Sequence, residues 1–428
     1  MKFTKQKLGE FLRVTRGASL PGTGYADEGK YLRLTLANFH EEGGFKEFKS
    51  TQGKYFVGTF DKRFIMHKGD LITPLTEQSP GLLGSVAIIP CDNLYIQSQD
   101  VGLITCNAEK LDERFAYYMF LTNSVREQIS ARSQQTKIRH TSPDKIADVE
   151  VYLPDLSTQL RIAGVLGSLD EKIELNRKKI AELEALAKTI YDYWFVQFDS
   201  PGKNGKPYRS SGGKMVWNEQ LKREVPDGWS ACSISECGEF HRGVSYSKDD
   251  EISNCADAIP VYRGNNIARG YVIHDSNEVF IPNAMVADSQ CIHAGQILIA
   301  MSSGSKDHVG KTGLVTTDHP LRAFGAFCTC FTPKEKLRHV IYNFFNSATY
   351  KAYIKQICSG TGINNLKTEY FEAKLFALPS QSQVERFYEL EHPIYAQIMN
   401  LDEEIEELTN MRKSLLPVLM NGQAKVAG

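Results

Sequence analysis

Few stretches of this chain hold residue types in an order that could do chemistry. The segment "GSKDHVGKTGLV", from Gly304, contains the Gly-Lys-Thr with which a phosphate-binding loop ends. Such a loop cradles phosphates with backbone N–H groups and a helix N-terminus, and it spaces its first Gly four residues before the Gly-Lys pair. Here five residues separate Gly304 from Gly310, and "GLVTTDHP" behind them is β-branched and closes on Pro320. That composition predicts a strand and a turn rather than a phosphate-capping helix. Cys328 and Cys330, with His319, come nearest to a metal-ligand set, but no paired CxxC spacing supports them. An adenine methyltransferase would need a glycine-rich cofactor loop and an Asn/Asp-Pro-Pro-aromatic string to hold a flipped base, and neither string occurs. What remains is a set of loops in which Arg, Lys, Asn and Gln cluster.

The elements that must position these loops occur twice. With a shift of 226, Arg16-Gly17 falls on Arg242-Gly243 and "HKGDLITPL" from His67 falls on "HAGQILIAM" from His293. With a shift of 225, "LPDLSTQLRI" from Leu153 falls on "LPSQSQVERF" from Leu378. The chain is two copies of one unit, and a repeat of this kind fixes the reading of the motifs within it. Under it, Gly310-Lys311-Thr312 meets Gly84-Ser85-Val86, a Gly turn between two strands without a phosphate-binding Lys. The carboxylates of "PDKIADVEV" from Pro143 meet "KTEYFEAKLF", which keeps no cluster, so they form a solvated face rather than a nuclease centre.

Each copy begins with short β-rich runs such as "KYLRLTL" and "QILIAM", with helical stretches near "DERFAYYMFLTNSVREQISA" and "HVIYNFFNSATYKAYIKQI". Each ends in a long helix. In the first, Leu166, Leu169, Ile173, Asn176, Ile180, Leu183, Ala187, Ile190 and Trp194 alternate steps of three and four, which is a coiled-coil seam with one polar member. Ile394, Ile398, Leu401, Ile405 and Leu408 continue the pattern in the second, and Pro393 predicts that this helix begins properly near Ile394. Two such helices in one chain are expected to pair antiparallel. The stretch between the copies is rich in Gly, Ser, Pro and Lys and reads as an extended connector.

The whole chain has 428 residues, room for about three domains of ordinary size. No apolar run reaches membrane-spanning length and the first residues lack a signal-peptide core, so a cytoplasmic protein with nine reduced cysteines is expected. A net charge of −1 neither demands nor excludes nucleic acid, because a polyanion responds to the local distribution of Lys and Arg.

The segment from "LPDLSTQLRIAGVLGSLDEKIELNRKKIAELEALAKTIYDYWFVQFDSP" through "NGKPYRSSGGKMVWNEQLKREVPDGW", and the ending "RKSLLPVLMNG", resemble the specificity subunit of type I restriction-modification systems. The resemblance implies an α/β (α+β) fold with an internal pseudo-two-fold repeat, its two similar target-recognition domains separated by two long antiparallel coiled-coil helices. The implied boundaries are residues 1–152 and 226–378 for the recognition domains, 153–198 and 379–428 for the helices, and 199–225 for the linker. It implies a non-catalytic subunit that binds a bipartite double-stranded DNA site and docks two modification (methyltransferase) subunits and, through them, restriction/translocase subunits. No cofactor is implied for this chain; S-adenosylmethionine, ATP and Mg2+ belong to the partners.

For the first half-site, the polar loops single out Arg33, Asn38, Thr76, Gln78, Gln134, Gln135, Lys137 and Arg139. For the second they single out Arg263, Asn265, Asn266, Arg269, Ser303, Lys306, Thr361, Asn364, Asn365 and Lys367. A coiled-coil scaffold with two protein-binding domains predicts no salt-dependent affinity for DNA. A nucleotide-binding enzyme predicts binding that Lys311→Ala abolishes.

Overall fold

In each repeat the chain enters and leaves through one antiparallel strand pair. Thr4–Lys7 pairs with Glu150–Leu153, and Ser230–Ser233 pairs with Leu375–Leu378. The computed structural model describes residues 4–48, 50–78, 80–133, 139–202, 204–273, 278–303, 308–318, 321–358, 364–372 and 374–424. They fall into two units, Met1–Glu174 with Glu407–Gly428, and Leu175–Glu406. The division runs through both long helices, so each unit holds one repeat and a length of each helix.

The first unit has a four-stranded sheet in the order Leu12–Arg16, Val101–Cys106, Leu71–Pro74, Ala87–Ile88, and a second of four short strands around Tyr31–Arg33. Helices Glu113–Phe120 and Asn123–Ala131 follow, the first capped by Asp112, whose carboxylate accepts from Phe115 N at 2.8 Å. The second unit repeats the plan with a six-stranded sheet containing Gly238–Arg242, Cys328–Pro333, Ile297–Ala300 and Thr312–Leu314, and with helices Arg338–Asn346 and Ala348–Ile357.

Two glycine positions show how closely the copies agree. A Cβ on Gly17 would stand 2.3 Å from the carbonyl oxygen of Ser98, and one on Gly243 would stand 2.3 Å from that of Gly325. Only glycine lets the two backbones approach this closely. Gly84 and Gly310 both have positive φ, and their missing Cβ atoms face Arg126 and Ile354 on equivalent helices. The Gly-Lys-Thr segment is therefore a turn into a strand: Thr312 is buried, and Lys311 donates from Nζ to the carbonyl of Ile267 at 2.9 Å.

The long helices span Leu156–Tyr191, continued by a π-helical turn over Asp192–Val196, and Gln381–Met420. The second corrects the expectation of a start near Ile394. Pro393 lies well inside it, on the solvent side next to exposed Glu389 and His392, where water can take the carbonyl that proline leaves without a donor. All nine seam positions from Leu166 to Trp194 are buried or half-buried. In the first unit Ile162 and Leu166 share a core with Leu415 and Leu419, and Asp170 accepts from Arg412 at 2.8 Å and from the Tyr118 hydroxyl at 2.6 Å. In the second unit Ile180 and Leu183 pack with Ile394 and Ile398, and buried Asn176 donates to Glu404 at 2.7 Å. Within each unit the helix segments run antiparallel. Leu166 thus packs on the end of the second helix.

The connector is folded rather than extended. Met215–Asn218 and Arg223–Pro226 form a hairpin, Ser210 N donates to Asp199 at 2.7 Å, and Val225 and Trp229 join the second unit's core.

Beside the first sheet a strap of two short strands, Thr76–Glu77 and Arg139–His140, is braced from within. The Glu77 carboxylate, 1% exposed, accepts from the backbone N–H groups of Gly81, Leu82 and Leu83 and pairs with Arg139 at 2.8 Å. Arg139 also donates to the carbonyl of Ser130 at 2.8 Å. Its equivalent in the second unit, Ser302–Ser303 with Asn364–Asn365, has no such ion pair in its sequence. Arg139→Ala should cost the first unit about 2 kcal/mol by removing charged hydrogen bonds from a buried carboxylate. Hydrogen exchange should show faster exchange at Gly81 to Leu83, with the Ser302–Ser303 strap unchanged.

A second buried polar group lies where Arg338–Asn346 meets the second long helix. Glu391 is fully buried, accepts from Asn343 at 3.2 Å through one oxygen, and finds no partner for the other among the described residues. Burial pushes its carboxyl up to about 8. His339 is stacked flat on Tyr395 at 4.4 Å, neither ring nitrogen finds a partner among the described residues, and burial lowers its pKa to about 3. A folded carboxyl that holds its proton up to a higher pH than the unfolded one loses stability as pH rises from the ordinary carboxylate range through 8. A histidine kept neutral loses stability as pH falls below 6.5. Glu391→Gln should therefore raise the melting free energy at pH 8 by roughly 2 kcal/mol and flatten its decline between about pH 5 and 8. An undiminished decline in thermal melts of the variant would contradict this account of the site.

Candidate nucleic-acid interface

In the first unit a cleft of about 350 Å³ opens between the turn after Tyr31–Arg33, the strap and the turn at residues 98–100. Its walls include Tyr25, Arg33, Thr35, Gln78, Gln99 and Asp100. The Arg33 guanidinium lies 3.8 Å from the centroid of the Tyr25 ring and donates to the carbonyl of Gly53 at 3.3 Å. Tyr25 is fixed in turn by its hydroxyl, which donates to the carbonyl of Leu20 at 3.2 Å. A guanidinium held flat on an aromatic ring keeps its planar fork with little entropy left to lose on binding. Gln78 stands exposed at the end of the strap. Arg33 and Gln78 are thus brought to one cleft, whose walls also hold an amide and a carboxylate.

Three expected readers are structural instead. Asn38 is fully buried: its Oδ1 accepts from Thr35 N at 2.9 Å and its Nδ2 donates to the carbonyl of Lys46 at 3.0 Å, so both ends of the amide are spent on the turn. Thr76 is buried in the strap, and Arg139 braces it through Glu77. Gln134, Gln135 and Lys137 lie outside the described residues.

The second unit makes the same turn with the same device. Asn266 is buried, accepts from Arg263 N at 2.9 Å and donates to the carbonyl of Ile273 at 3.2 Å, so it too is a cap and not a reader. Beside it Arg263 is half-buried and Asn265 exposed. Ser303 is half-buried in the second strap, where its backbone pairs with Asn364, and Asn365 and Lys367 are exposed just beyond. Arg269 is not gathered with them. It sits at positive φ in the turn between two strands, with its charge attracted to Glu184 of the first long helix. Lys306 and Thr361 lie outside the described residues.

Tyr25, Gln99 and Asp100 line the first cleft although the loop composition did not single them out. For Gln99 and Asp100 the available signal was the repeated Arg-Gly: Gly17 and Gly243 each pack on the turn at that place, at Ser98 in one copy and Gly325 in the other.

Residues 2–185 match the family described as the type I restriction modification DNA specificity domain. Over 372 residues, 85% of this chain and 79% of the relative, the sequence is 26% identical to the specificity subunit of the type I restriction enzyme MjaIX of Methanocaldococcus jannaschii. Over 201 residues, 46% of this chain and 43% of the relative, it is 30% identical to the specificity subunit of EcoKI from Escherichia coli strain K12. The fold is shared with the crystal structure of the S subunit of a type I restriction-modification system from M. genitalium, with a TM-score of 0.56 at 17% identity over 98% of this chain and 96% of that one. The first copy of the frame and most of the first long helix thus match the type I DNA specificity domain, and the chain as a whole shares the fold of the M. genitalium S subunit.

Proposed function

We propose that this chain selects a two-part duplex DNA site, one half through each unit, and that it directs adenine methylation and restriction carried out by partner subunits. The observation that carries this reading is the strap. Thr76–Glu77 with Arg139–His140 and Ser302–Ser303 with Asn364–Asn365 have the same backbone pairing at matched positions, yet different side chains. A frame kept while the polar residues presented around it change is what two readers of different sequences require, since base edges are read by side chains. Arg33 and Gln78 in the first unit, and Arg263, Asn265, Asn365 and Lys367 in the second, are the base- and phosphate-contacting candidates. The exposed charged flanks of the first long helix, such as Glu171, would hold two methyltransferase subunits, which bring S-adenosylmethionine, while ATP and Mg2+ serve the restriction subunit. No helix among the described residues is long and apolar enough to cross a membrane, in keeping with work on DNA in the cytoplasm.

Exchanging residues 1–152 for those of a relative should change one half of the methylated motif in a host genome and leave the other intact; a swap that altered both halves would defeat the two-reader model. The assembled complex should lose affinity for its DNA steeply with added salt, as phosphate contacts demand. Its mass should show two methyltransferase subunits for each copy of this chain.

A further inference from the structure

Between the two polar clusters of each unit lies a turn whose backbone is fixed in the same way. In the first unit Val101 N donates to the carbonyl of Ser98 at 3.0 Å and Leu75 N to that of Asp100 at 2.8 Å. In the second, Cys328 N donates to the carbonyl of Gly325 at 2.8 Å and Met301 N to that of Phe327 at 2.9 Å. Position 100 of one copy is position 327 of the other. Asp100 lines the cleft that holds Arg33 and Gln78. Phe327 accepts through its carbonyl from Ser302 N at 3.3 Å, which seats it against the second strap, and its turn is tied at Gly325 N to the carbonyl of Tyr262, next to Arg263.

Phe327 is 72% exposed, more than any other large apolar side chain among the described residues. A single exposed apolar residue is ordinary. This one stands on a turn held by five main-chain bonds, between polar residues proposed to face DNA, at the place where the sister copy carries a carboxylate. Neither side chain contributes to the frame, so the backbone presents whatever residue the position holds.

We infer that positions 100 and 327 are one base-reading position used twice, with different readout in the two half-sites. A carboxylate in the major groove accepts from the N4 amino group of cytosine, and a phenyl ring packs on the 5-methyl group of thymine. Asp100 accordingly selects a cytosine in the first half-site and Phe327 a thymine in the second. This inference rests on the proposed DNA reading and adds the residue and the base class.

The test uses the full chain in complex with its methyltransferase, on duplexes carrying the motif that methylation mapping defines. Thymines of the second half-site are replaced one at a time by uracil, which removes only the methyl group. At one position the replacement should weaken binding by the wild-type complex roughly fivefold, the loss expected for one buried methyl group, and Phe327→Ala should bind both duplexes equally. Phe327→Leu should keep part of the preference. Asp100→Ala should relax one cytosine of the first half-site in the mapped motif and leave the second half-site unchanged. Specific binding by the wild type with no thymine sensitive to the methyl group, or the same sensitivity in Phe327→Ala, would overturn the inference while leaving the two-reader function standing. Absence of specific binding by the wild type would instead overturn the function itself.

Discussion

Each reader hangs on a contact between two stretches of backbone that no side chain could substitute. Where Gly17 meets Ser98, and Gly243 meets Gly325, the room left for a Cβ is 2.3 Å from a carbonyl oxygen. That approach lets the next residue bridge to the far turn, Ala18 to Ser98 and Val244 to Gly325, and the turn then reaches the strap through Leu75 or Met301. The link from that contact to the strap is made of main-chain hydrogen bonds. Its side chains are consequently free to vary wherever they do not enter the core, and recognition can change while the fold does not.

The helices obey a different constraint. Their packed faces are mostly apolar, and among the polar residues they bury or half-bury Asn176 meets Glu404, Asp170 meets Arg412 and Tyr118, and Glu391 meets Asn343 through one oxygen. Buried polar groups cost stability unless they are satisfied, and a group satisfied in only one alignment disfavours the others. An apolar seam of regular steps could slip by a heptad at modest cost. The pairs at Asn176 and Asp170 oppose such a slip, each within its own unit.

Much of this was legible in the sequence because it depends on period. The shift of 226 located the turn at Gly310 and removed the phosphate loop from consideration, and the three-four steps from Leu166 to Trp194 gave the buried face of the first helix. The second helix was read too short, since a proline at 393 speaks only of a missing donor and not of which side of the helix it faces. Asn38, Asn266 and Arg139 have the residue types of DNA readers, and composition cannot distinguish an amide that caps a turn from one that meets a base. The difference lies in burial, which for isolated loop residues has no period to betray it. Asp100 and Phe327, the positions inferred to read bases, escape composition for the opposite reason: a carboxylate and a phenyl ring are not among the basic and amide side chains that dominate DNA contacts.

The pairing of Thr4–Lys7 with Glu150–Leu153, and of Ser230–Ser233 with Leu375–Leu378, places the first and last strands of each reader side by side. A reader is therefore tethered at a single spot, like a bead whose thread enters and leaves by one hole. Genetic recombination with junctions at those strands would exchange a whole bead whose backbone hydrogen bonds across each junction do not depend on side chains, provided the new bead keeps the apolar face that packs on the long helices. On the proposed reading, a lineage of such chains could change its sequence preference by trading intact parts instead of altering one part residue by residue.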